Sequence, residues 1–322
     1  MLQMDRRSVD AHLAFAELYQ VSGQHEAANR EYLETLKLDE NNPGANIGLA
    51  ELLVIEGGLR RAGALFETAV RTYLTYWKVQ KALGSYYSRS GMYHRAMESY
   101  LRVTKLMGGN TTVFNNLGAA RLYVGDFDGA YESWQQANQL EPSSAVRSNM
   151  VSALYYGSRI EEALQQSEAA LVLDPGEHRL WGDKGDALTL IAGKQAKMRA
   201  AYFHTIQLAE ALVDVNSDDA TTLSRLAVYT AAVGRDQEAR VTIDRARGLA
   251  ALDINVLYDA ARTWRFLGHV DESVSYGKQA LDAVYPLILL ESDPQLYTET
   301  KKENNNDKNN IRFHAFVRDA AG

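Results

Sequence analysis

Residues 111–142 read TTVFNNLGAARLYVGDFDGAYESWQQANQLEP, and this stretch decides the fold. Its apolar and small residues fall into two helical periods separated by Gly125-Asp126. Phe114, Leu117, Gly118 and Arg121 follow the i, i+3, i+4, i+7 spacing of one helix face. Ala130, Trp134 and Ala137 mark a second stripe that ends at Pro142. Two such helices cannot bury both apolar faces alone, so they require similar pairs on either side.

The chain supplies those pairs. Gly23, Gly57, Gly91 and Gly125 recur in steps of 34 residues, and Ala28, Ala62, Ala96 and Ala130 keep the same register. So do Phe15, Leu49, Leu83 and Leu117. The pattern then loosens: the next turns fall at Ser158 (a step of 33, followed by Ala163), Gly193 (35), Gly234 (41) and Gly268 (34). The step of 41 predicts an overlong second helix over 195–213, and Asn216-Ser217-Asp218-Asp219 then predicts a turn and the next N-cap. Eight helix pairs between residues 9 and 285 make this an all-α chain.

A 34-residue helix-turn-helix carrying Phe114, Leu117, Gly118, Ala130, Trp134, Ala137 and Pro142 resembles the tetratricopeptide repeat (TPR) family. Arg121 departs from the family pattern, which has an aromatic there; Tyr19, Tyr87 and Trp264 supply one in other units. In the sixth unit Lys184 stands for the usual leucine, and Lys197 or Met198 for the usual alanine. The resemblance implies an α-solenoid, a right-handed superhelix of about eight units. Its concave groove would be lined by the first helix of each pair. The runs AVRSNMVSALYYGSRIEEAL (145–164), HRLWGDKGDALTL (178–190) and YPLILLESDPQL (285–296) are also similar to the C-terminal TPR regions of bacterial signalling proteins. In those proteins the repeats follow a receptor-type Ser/Thr kinase, a cyclase or a winged-helix regulator. That likeness implies a non-catalytic sensor half as an alternative reading.

The expected organisation is a lead-in over 1–8, the repeats over 9–285, a C-terminal cap over 286–300 and a polar, disordered tail over 301–322 that begins KKENNNDKNN. In the cap, Leu287, Ile288, Leu289 and Leu290 are placed over the outer face of the last pair, and Asp293-Pro294 opens a short helix to residue 299. The net charge of −7 argues against nucleic acid as a partner. Without cysteine there is no disulfide framework, thiol nucleophile or thiolate metal site. The opening MLQMDRRSVDAHLAFAELYQ lacks the apolar core of a signal peptide, and no apolar run is long enough to span a bilayer. These features predict a cytoplasmic protein, or a periplasmic one if the chain is the sensor half of a membrane-anchored regulator.

No catalytic pattern emerges. The seven histidines include no i, i+4 pair, and His25, His94 and His269 fall in turns. There is no GxSxG, HExxH, Walker A, HRD or DFG sequence. Asp183 and Asp186 read as a solvated acidic patch, and Trp77, Trp134, Trp181 and Trp264 as structural. The expectation is a non-enzymatic chain with no cofactor and no metal.

What remains is a surface. The stripe left free on the first helix of the fourth pair is Thr112, Asn115, Asn116, Ala119, Leu122 and Tyr123. The TPR resemblance extends the groove to Lys78, Lys81, Ser85, Ser88 and Arg89 in the third unit and to Ser148, Asn149, Ser152, Tyr155 and Tyr156 in the fifth. The sixth unit adds Arg179, Asp183 and Asp186, and the last adds Tyr258, Arg262, Arg265 and Phe266. Lys78, Lys81 and Arg89 form a basic spot, Asn115, Asn116 and Asn149 offer amides, and Tyr123, Tyr155 and Tyr156 offer amphipathic contact area. The expected peptide groove is therefore Lys78, Lys81, Ser85, Arg89, Asn115, Asn116, Tyr123, Asn149 and Tyr156, with a protein or peptide as partner. Lys81 and Asn116 match two positions of the carboxylate clamp of TPR co-chaperones, but Ser85, Ala145 and Asn149 occupy the others, which argues against that ligand. Self-assembly into a homo-oligomer through the sixth and eighth units is the alternative from another class.

Overall fold

Every helix pair turns on one residue with a left-handed backbone. Gly23, Gly57, Gly91, Gly125, Ser158, Gly193, Gly234 and Gly268 all have positive φ, between 59° and 84°. They are the eight positions that the spacing marks as turns. After Gly125 the Asp126 N–H bonds the Arg121 carbonyl at 2.9 Å, and after Gly268 the His269 N–H bonds the Trp264 carbonyl at 2.9 Å. This is the six-to-one closure of a helix C-terminus by a left-handed residue.

The computed structural model describes residues 8–73 and 76–297. Most of the expected lead-in, the end of the expected cap and all of the expected tail lie outside those residues. Among the described residues all regular structure is helical. The pairs are α1 (Val9–Val21) with α2 (His25–Leu38), α3 (Pro43–Ile55) with α4 (Leu59–Tyr73), and α5 (Trp77–Arg89) with α6 (Tyr93–Met107). They continue with α7 (Thr111–Tyr123) and α8 (Phe127–Leu140), α9 (Ser144–Tyr156) and α10 (Ile160–Leu173), and α11 (His178–Thr189) and α12 (Gln195–Val215). The last two are α13 (Ala220–Ala232) with α14 (Asp236–Leu249), and α15 (Ile254–Phe266) with α16 (Val270–Asp282). Two short helices, α17 (Leu287–Ser292) and α18 (Pro294–Tyr297), follow. The 21-residue α12 is the overlong helix, and Asp219 caps α13 by accepting from the N–H groups of Thr221 and Thr222, both at 3.1 Å. No described helix is long and apolar enough to cross a membrane.

The chain forms two compact units, Met1–Ala120 and Arg121–Gly322. In the first, the alanine column places Ala28, Ala62 and Ala96 in the core with no exposure, and Tyr32, Phe66 and Tyr100 follow one turn later. A Cβ on Gly84 would lie 2.6 Å from the Tyr100 ring, so the ring is seated directly on backbone. Small-against-aromatic packing recurs in the second unit, where Gly185 meets the Tyr202 ring. There Arg121 replaces the aromatic by hydrogen bonding: its guanidinium donates to the Gly129 carbonyl at 2.8 Å and to Ser133 Oγ at 3.0 Å. Lys184, in the usual leucine position, pairs with Glu168 at 3.0 Å and lies over the Trp181 ring.

Ser158 is the one turn position of the eight held left-handed without glycine, at φ 59°. Ser158→Gly is expected to stabilise the protein by about 0.5–1 kcal/mol, the left-handed penalty less the extra entropy of glycine. Urea unfolding followed by circular dichroism checks this; an unchanged or lowered midpoint contradicts it.

Candidate functional site

In the first unit the expected groove residues divide into two groups. Lys78 and Arg89 are exposed at opposite ends of α5, while Lys81 and Ser85 between them are half-buried. Ser85 Oγ lies 3.2 Å from the Tyr100 hydroxyl, which also hydrogen-bonds Ser88 and Asn116. Burial raises the Tyr100 pKa above the ordinary phenol value, and those hydrogen bonds partly offset it. Ser85 and Asn116 are thus tied to the fold, and Asn115 is half-buried.

A cavity of about 210 Å³ crosses the first helices of three successive pairs here. Val54, Ile55, Phe66 and Ala82 give it apolar walls, and Gln20, Glu51, Ser85 and Arg89 supply polar groups. Ser85 and Arg89 belong to the expected groove, whereas Lys78 and Lys81 lie outside the lining. Gln20 and Glu51 come from the first and second helix pairs and lie outside the expected groove. Gln20 donates to Glu51 at 2.9 Å and accepts from the Tyr32 hydroxyl at 2.6 Å, so the polar side of the cavity is itself held in place.

In the second unit the first helices are covered by the chain's own C-terminal segment. Asp293 has 0 % exposure. Its Oδ1 accepts from the Tyr155 hydroxyl at 3.0 Å and its Oδ2 from the Tyr258 hydroxyl at 2.6 Å. The Arg262 guanidinium lies 3.8 Å from Asp293 and donates to Asp186 at 2.9 Å. Gln295 accepts from Arg262 and donates to Asp186 at 3.0 Å. Tyr156 and Tyr258 share a hydrogen bond of 2.7 Å, and Tyr285 stacks on Tyr258 with ring centroids 4.7 Å apart. Burial pushes the Asp293 carboxyl upward, against the pull of Arg262 and the two tyrosine hydroxyls. It also drives the hydroxyls of Tyr155 and Tyr258 well above ordinary phenols, so both are hydrogen-bond donors.

Several expectations change here. The segment expected over the outer face of the last pair reaches the first helices of three pairs, through Tyr155, Asp186 and Tyr258; Ile288 lies against Gly125 in the α7–α8 turn, and Leu289, Leu290 and Leu296 are buried. The stripe expected to be free is engaged: Tyr155, Tyr258, Arg262 and Arg265 are buried and Asn149 accepts from Arg179 at 3.1 Å. Tyr123 and Tyr156 are half-buried, and Leu122 is buried because it lies four residues after Gly118 and so shares the packed face. Asp183 and Asp186 are no solvated patch. Asp183 accepts from Ser148 Oγ at 2.6 Å, and Asp186 accepts from Tyr202, Arg262 and Gln295. Two helix pairs on, Ser224 donates to the buried Asp259 in the same way, at 2.7 Å. Among the described residues no cluster of His, Asp and Glu is arranged to hold a metal.

No protein-family model and no curated protein matches the chain. Among solved structures, a tetratricopeptide repeat protein from Parabacteroides merdae ATCC 43184 aligns over 80% of this chain and 99% of its own, with a TM-score of 0.51 and 15% identity. The chain has the tetratricopeptide repeat fold. Pseudomonas aeruginosa pilF aligns over 88% of this chain and 95% of its own, at 17% identity and a TM-score of 0.44. YrrB, described as a TPR protein with an unusual peptide-binding site, aligns over 58% and 93%, at 18% identity and 0.44.

Burial pushes the Asp183 carboxyl up to about 6, outweighing the hydrogen bond from Ser148 and the charge of Arg179. A carboxyl whose pKa rises on folding favours the folded state below its unfolded value, and that contribution is lost as pH climbs through the folded value. Asp183→Asn keeps an acceptor for Ser148 and removes the buried charge. Its melting temperature is expected to exceed the wild type's at pH 7.5, with the gap closing by pH 4; a gap independent of pH contradicts the assignment.

Proposed function

We propose that this TPR chain is a non-enzymatic scaffold that holds a peptide segment of a partner protein on the first helices of its N-terminal unit. The observation that carries this reading is the cavity across α1, α3 and α5. It has apolar walls to take a side chain, fixed polar groups at Gln20, Glu51 and Ser85, and exposed cationic groups at both ends of α5, Lys78 and Arg89. A few placed polar groups around an apolar recess suit recognition of a side chain with an orienting backbone contact. Lys78 and Arg89 favour an acidic segment lying along α5, with one apolar residue in the cavity. The partner supplies negative charge for attraction and an apolar anchor for residence. A signal-receiving setting for this docking is part of the same proposal.

A panel of fluorescent acidic 12-residue peptides, each with one central leucine or phenylalanine, tests the reading by anisotropy. The wild-type chain is expected to bind members of the panel. Lys78→Glu with Lys81→Glu is expected to weaken them about tenfold, or about 1.4 kcal/mol, with unchanged helicity. Undiminished binding by the double variant sinks the assignment.

A further inference from the structure

The second unit shows what its own first helices accept. Residues 286–297 contribute leucines at 289, 290 and 296, a fully buried carboxylate at 293 and an amide at 295. The receiving groups come from three helices far apart in sequence: Tyr155 on α9, Asp186 on α11, and Tyr258 and Arg262 on α15. Two hydroxyls donate to this carboxylate, and the Arg262 guanidinium, bonded to Asp186, lies 3.8 Å from it, a setting that suits an acidic side chain.

The attachment of this segment differs from that of the repeats. It leaves α16 through Val284, a β-branched residue at φ 66°. A branched side chain is strained in that left-handed conformation, where the repeat turns use glycine at seven of eight positions. Its two helices have six and four residues, too short to persist without the surface beneath them. Val284 closes α16 with the six-to-one bond of the repeat turns, Tyr285 N–H to the Ala280 carbonyl at 2.8 Å, but without glycine, so the segment is held by its side chains beyond a strained residue.

We propose that residues 286–297 are a resident, exchangeable ligand, and that the face they cover is a second peptide site for a partner segment of the form Leu-Leu-x-x-Asp-x-Gln-Leu. The partner's aspartate takes the place of Asp293 between Tyr155, Tyr258 and Arg262, and its leucines take the places of Leu289, Leu290 and Leu296. This extends the reading of the first-helix face as a peptide surface to the other unit, and its test leaves Lys78 and Lys81 untouched.

The test uses the full chain and a fluorescent synthetic peptide of residues 285–297. Asp293→Lys places a cation beside Arg262 and is expected to release the resident segment, so that the variant binds the probe at least tenfold more tightly than wild type. Adding Arg262→Ala to that variant is expected to reverse the gain, and a probe with asparagine in place of the aspartate is expected to bind at least tenfold more weakly. A folded Asp293→Lys chain that does not bind the probe overturns the proposal. If that variant loses helicity, Asp293→Asn serves in the same assay, with at least a threefold gain over wild type expected and no gain overturning it. Wild-type self-association that Asp293→Lys abolishes makes a second copy the occupant, and overturns the assignment to a separate partner.

Discussion

Each of the eight helix pairs reverses direction over a short turn, three residues in seven pairs and five between α11 and α12, and each of these turns depends on a left-handed backbone. That constraint spaces the glycines of this protein and fixes the phase of each second helix relative to its first. Once the phase is fixed, Ala28, Ala62 and Ala96 bring their helices close, and the aromatic residue one turn later has only backbone-sized gaps to fill. The Tyr100 ring against Gly84 and the Tyr202 ring against Gly185 are products of the same turn. The repeats tolerate odd residues such as Arg121 and Lys184 for the same reason. With the turn in place, a guanidinium bonded to a carbonyl or a lysine over an indole closes the space that an aromatic or a leucine fills elsewhere.

This explains what the sequence makes legible. The eight turns, the eight pairs, the long α12 and the Asp219 cap all rest on contacts within a few dozen residues, and they repeat. Even Ser158 is recognisable as a turn because its neighbours keep register. The covered face of the second unit is different. Tyr155 and Asp293 are 138 residues apart, and Gln295 reaches Asp186 across 109. No period connects them. Asp293-Pro294 carries a sound helix-start signal and does cap α18, through the Gln295 N–H. The same carboxylate also binds two tyrosines, a second role that local spacing does not display. Gln20 and Glu51 in the first unit were missed differently: each occupies an ordinary helix position, and only the stacking of three helices brings them to one cavity.

The buried polar cluster has its own energetic logic. Asp186 and Asp293 share Arg262, and tyrosine hydroxyls and a glutamine amide fill the remaining directions. Such a cluster contributes little net stability compared with apolar packing, yet removing one member typically costs about 3–5 kcal/mol by leaving a charge without its partner. It therefore selects geometry more than it adds strength. The leucines around it remain the larger source of adhesion, while the carboxylate decides which segment fits.

The length of α12 has a consequence for how repeat chains of this kind accommodate change. It has seven residues more than the 14-residue α8 and α10, and each residue advances a helix by about 100°. Seven residues bring the helix back to within about 20° of its starting direction. Ile206 and Val213, seven apart, accordingly join the same apolar cluster. An insertion of five would have rotated everything beyond it by about 140° and turned that stripe to water. Length can thus be added to a repeat only in near-whole turns, so the permitted insertions come as a discrete series rather than a continuum.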